Sequence, residues 1–206
     1  MNPHPPRFPF FPLPGIGTIE GSLFVLPWLF PALVVSVGVA VVAARRVGRW
    51  LGAHPVLAFG LILSFGVILS ATLTPLGRAG LPGFEHPGYC SFERMTIASW
   101  NDIRWESDVR DNIVLFIPLG LTIALLPRST RKLGILAAAV ALPFAIELTQ
   151  LIVAPLGRGC ESSDVIDNLT GLAIGLAIGA VLGLGAGLIA RSTGGVAAAG
   201  GERGGQ

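Results

Sequence analysis

Glu147 and Gln150 stand one turn apart within Pro143-Phe144-Ala145-Ile146-Glu147-Leu148-Thr149-Gln150, a carboxylate and an amide on nearly the same face of an apolar run. An ionisable group in such a run is costly to desolvate, so it marks either a functional site or a polar tie between helices. As a site residue, Glu147 is a candidate general acid or base, and Arg158, just beyond the same run, is its expected charge partner. A second set follows in Asp164-Val165-Ile166-Asp167-Asn168, where Asp164 and Asn168 share a helix face with Gly171, Gly175 and Gly179. That face is polar at its start and small thereafter. The glycines are read as a packing seam that lets another backbone approach closely. Ser163 or Asp164 would equally serve as an N-cap, and Asp167 as a solvated surface acid. Asn112 lies about one turn into a third apolar run, after Asp108, itself a candidate cap.

The elements that must position these groups are membrane helices. The chain has 206 residues, 52% hydrophobic and 13% charged, with a mean hydropathy of +0.72. That composition argues against a water-soluble globule. A net charge of +2 is too balanced for a nucleic-acid-binding surface. At about 20 apolar residues per crossing, the sequence predicts an all-α, polytopic helix bundle of about five transmembrane helices, with the lipid bilayer as its first partner. A proline-rich extracytoplasmic start (1–21) without signal-peptide features precedes a transmembrane hairpin (22–74). There follow a long extracytoplasmic loop (75–108), a core of three helices (109–190) and a Gly- and Ala-rich tail (191–206), expected to be disordered and cytoplasmic. The third span is short and contains Pro118.

Basic residues set the orientation. Arg45, Arg46, Arg49, Arg128, Arg131 and Lys132 cluster in short connectors, which places those connectors in the cytoplasm and the N-terminus outside. Asn112, Glu147, Gln150, Arg158, Asp164 and Asn168 then map to the outer half of the bilayer, as a polar recess with the long loop above it. Cys90 and Cys160 also fall outside, where a disulfide between them would tie the loop over the last two helices. No metal or cofactor is implied: zinc and nucleotide motifs are absent, and Glu161, Asp164 and Asp167 are only a weak signal for a divalent cation. Without an inverted repeat, an alternating-access transporter has little support.

Asn112-x-x-x-Phe116-x-Pro118-Leu119-Gly120, then Glu147-x-x-Gln150, then Arg158 with Asp164-x-x-x-Asn168-x-x-Gly171-x-x-x-Gly175, together resemble the VanZ-like family over roughly Leu69 to Leu182. Arg158-x-Cys160 with an upstream Cys90 is similar to a subgroup with paired extracytoplasmic cysteines. The resemblance implies a cell-envelope membrane protein and a connection to antibiotic resistance, through reduced sensitivity to the glycopeptide teicoplanin. Asp167 departs from the pattern, which has an apolar or small residue there. Two functions are open at this point. One is a binder of a lipid-linked envelope component or lipophilic glycopeptide, with Glu147 orienting Arg158. The other is a membrane enzyme on such a lipid-linked substrate, with Glu147 as acid or base. Oligomeric state is not legible.

Overall fold

The computed structural model describes residues 27–77, 79 and 88–201, the last sixteen by their backbone alone. The proline-rich start and residues 202–206 lie outside the described residues. The architecture is the expected all-α bundle. Helices α1 (Leu29–Leu51) and α2 (Pro55–Leu73) form a hairpin; α3 (Trp100–Trp105), α4 (Ser107–Leu125), α5 (Thr130–Ile152) and α6 (Ser162–Gly201) follow. A pair of two-residue parallel strands, β1 (Cys90–Ser91) and β2 (Cys160–Glu161), joins the long loop to the start of α6.

Each boundary has a local cause. The expected connector Arg45–Arg49 is helical, because α1 continues until Gly52 adopts a left-handed φ of 65° and closes the end with its own N–H on the Arg49 and Gly48 carbonyls. His54 then caps α2, with Pro55 in its first turn where no N–H is needed. Ser99 and Asp102 form a reciprocal capping box at α3, which gives the long loop a helix of its own. The hydrogen bonds from Ser99 hold the Asp102 carboxyl below its ordinary pKa. Past Ala190, where the composition predicts an unstructured tail, the backbone stays helical to Gly201.

Among the described residues four helices, α1, α2, α5 and the Ser162–Gly185 part of α6, are long and apolar enough to cross a membrane. Helix α4, expected as the third of five spans, forms, but Asp108, Arg110 and Asp111 occupy its first turns. From Asn112 to Leu125 it offers only about 21 Å of apolar helix at 1.5 Å per residue. It lies backbone to backbone against α6 along one face, while Val114 and Leu125 are exposed on another. A Cβ on Gly171 would strike the Ile113 carbonyl, one on Gly175 the Ile117 carbonyl, and one on Gly120 the Leu172 carbonyl. The core around this crossing includes Phe116, Leu119, Ile123 and Leu172, joined by Leu61 and Ile68 of α2 and Ile146 of α5.

The two ends of the bundle differ. At one, Arg131 donates to the Trp50 carbonyl and lies over the Trp50 ring at 5.3 Å, so the two basic connectors adjoin. The other carries the strands and the Cys90–Cys160 disulfide, with a Cα–Cα distance of 4.5 Å.

Candidate functional site

Helix α5 delivers Glu147 and Gln150 to the disulfide-bearing end, both buried. Gln150 Nε2 donates to the Thr72 carbonyl at 3.0 Å. Beyond α5, the 3-10 turn Ala154–Leu156 and Gly157, with φ 64°, reverse the chain so that Arg158 points back toward the end of α2. There its Nε and Nη2 donate to the carbonyls of Thr74 and Ala71, at 3.3 and 2.7 Å. These belong to the last turn of α2, whose carbonyls have no helical partner and whose dipole favours a cation. Burial pulls the Arg158 pKa below the ordinary arginine value, against the pull of Asp164 and Glu147 in the opposite direction.

The expected Glu147–Arg158 ion pair does not form. Glu147 Oε2 instead accepts the Glu161 main-chain N–H at 2.7 Å, which fixes β2 and thereby Cys160. Among the described residues the ion pairs are Arg94–Asp167 and Arg110–Asp111. Arg158 was drawn to the carbonyls because a helix end offers acceptors that sequence spacing does not display.

Asn112, Glu147, Gln150, Arg158, Asp164 and Asn168 line one cavity of about 300 Å³, closed by Ala71 and Thr72 of α2 and rimmed by Asp108 and Asp111. Asn112 is a hydrogen-bond partner of Asp164. Asn168 is fully buried, and its Oδ1 meets no donor from the protein. The lining carries four carboxylates, on Asp108, Asp111, Glu147 and Asp164, against one guanidinium, so it favours hydrogen-bond donors over anions.

A second cavity, about 580 Å³, shares Asp108 and Asp164 with the first and extends beneath the long loop. Here the structure corrects the sequence twice. Asp167, expected at the membrane surface and out of place in the family pattern, is 1% exposed and paired with Arg94. Arg94, unnoticed in the sequence, donates to Asp167 Oδ2 and to the Thr96 carbonyl, and its own carbonyl accepts Ser162 Oγ. The bond to Asp167 raises the Arg94 pKa above its ordinary value. A lone unexplained acid in a helix start was the one available signal. Among the described residues, no three His, Cys, Asp or Glu side chains are grouped so as to hold a metal ion.

Residues 84–183 match the family model described as VanZ/LLP1. The matched segment is a VanZ-like domain. It contains the six polar residues of the smaller cavity, both cysteines, Arg94, Asp167 and the glycine seam. The hairpin lies outside the match, although α2 closes one wall of the VanZ-like cavity. No curated protein and no solved structure matches the chain.

Proposed function

We propose that this multi-pass VanZ-like membrane protein binds the polar head of a cell-envelope amphiphile, a lipid-linked envelope component or a lipophilic glycopeptide, and thereby lowers glycopeptide sensitivity. The observation that carries the reading is the convergence of six polar side chains, from three helices and the connector before α6, on one cavity at the end of an apolar bundle. The excess of carboxylates favours a head rich in hydroxyl, amide or ammonium donors, and Asn168 Oδ1 offers an acceptor still to be met. The cavity end faces outward in this reading, because the basic connectors occupy the opposite end.

The test expresses the wild-type chain, Asn112→Ala and Glu147→Gln in a sensitive Gram-positive host at matched membrane abundance. Wild type should raise the inhibitory concentration of teicoplanin, and Asn112→Ala should not. In purified protein, Asn112→Ala should weaken teicoplanin or cell-wall-precursor binding roughly tenfold, the equivalent of about one hydrogen bond. Glu147→Gln, which keeps an acceptor oxygen, should retain binding. If Glu147→Gln bound the precursor normally but abolished its turnover, Glu147 would be an acid-base catalyst instead. Unchanged susceptibility and no measurable binding would refute the proposal.

A further inference from the structure

The segment between the hairpin and α4 has two faces. Glu93, Arg94, Asp102 and Glu106 line the 580 Å³ cavity. Tyr89, Phe92, Met95, Ile97 and Trp100 do not line it, and each is at least 67% exposed. A run of five large apolar side chains left exposed, with Glu93, Arg94, Asp102 and Glu106 lining the cavity, is the pattern of a segment lying at a membrane surface.

Its tethers place it at that level. The segment leads directly into α4, is paired through β1 with the residue before α6, and is fixed there by the disulfide and by Arg94–Asp167. Near the same end, Trp28, Ile152 and Val153 present exposed apolar surface on the spans themselves. The apolar side of the segment thus continues a lipid-facing surface, and tyrosine and tryptophan favour the headgroup boundary. We infer that residues 88–105 dock on the bilayer, with Tyr89, Phe92, Met95, Ile97 and Trp100 seated in the interfacial layer and the acidic side turned toward the cavity. This rests on the membrane-spanning fold and not on the ligand proposed above. The larger cavity consequently lies at headgroup depth, where an amphiphile arrives along the leaflet.

The test uses the full chain, disulfide intact, in phosphatidylcholine vesicles, with Trp100 as sole tryptophan (Trp28→Phe, Trp50→Phe, Trp105→Phe). Phosphatidylcholine brominated near the headgroup end of its chains should remove most of the Trp100 emission, while iodide on both sides of the membrane should change it little. Strong iodide quenching without bromolipid quenching would mean that the segment stands in water, and protection from both would mean that protein covers it. Either result overturns the inference. Should the tryptophan substitutions unfold the chain, a phosphatidylcholine carrying a headgroup-proximal diazirine should label residues 88–105 of the wild type. Labelling confined to the spans would then overturn it.

Discussion

Gly38 in α1 and Gly171 in α6 both sit inside apolar helices, yet their surroundings differ. A Cβ on Gly38 would meet nothing within 4 Å, whereas one on Gly171 would run into the Ile113 carbonyl. The tight place inside the hairpin, Gly66, faces the Ser36 side chain rather than a main-chain carbonyl. Ser36 there shares a hydrogen bond with Ser70 at 3.2 Å. Hairpin packing thus rests on side-chain contacts, and its outer faces are open to lipid. The α4–α6 pair is determined at the level of the backbone, and the polar cavity is built directly on that pair.

The contrast can be broken most severely at its tightest point. Gly171→Leu should prevent α4 and α6 from docking, a loss above about 4 kcal/mol, while Gly38→Leu should leave yield and melting temperature unchanged. Equal effects at the two positions would remove the distinction. Next in size is the double change Cys90→Ser and Cys160→Ser. It removes a crosslink spanning 70 residues and should cost about 4 kcal/mol, read as a lower melting temperature and as protease cleavage within 88–105 while the hairpin stays intact. Smallest is Arg94→Met, which leaves Asp167 buried without its cation and should cost about 3 kcal/mol. Adding Asp167→Leu should restore most of that loss in thermal melting. Failure to do so would show that the pair positions the loop rather than merely neutralising a charge.

Much of this arrangement is legible in the residue pattern. The spacing of Gly171, Gly175 and Gly179 reveals the α6 side of a seam, since helical periodicity is local and these three lie on one element. The polar residues of the small cavity stand out because each interrupts an apolar run or begins one. What escapes is pairing across distance. Arg94 and Asp167 lie 73 positions apart, and neither repeats with a period. Arg158 chooses main-chain carbonyls, which every residue carries and no residue type advertises. The third span is the least legible of the five: Arg110 and Asp111 follow Val109 at once and shorten its apolar stretch, and only the structure shows α4 running alongside α6.

The bonds of Arg158 and Gln150 to α2, with the Leu76 N–H on the Leu156 carbonyl at 3.0 Å, bear on how the chain can be divided. A boundary drawn by sequence likeness at residue 84 separates Arg158 and Gln150 from the α2 carbonyls that accept their hydrogen bonds. An excised piece starting at 84 would begin life with a buried cation facing a missing wall.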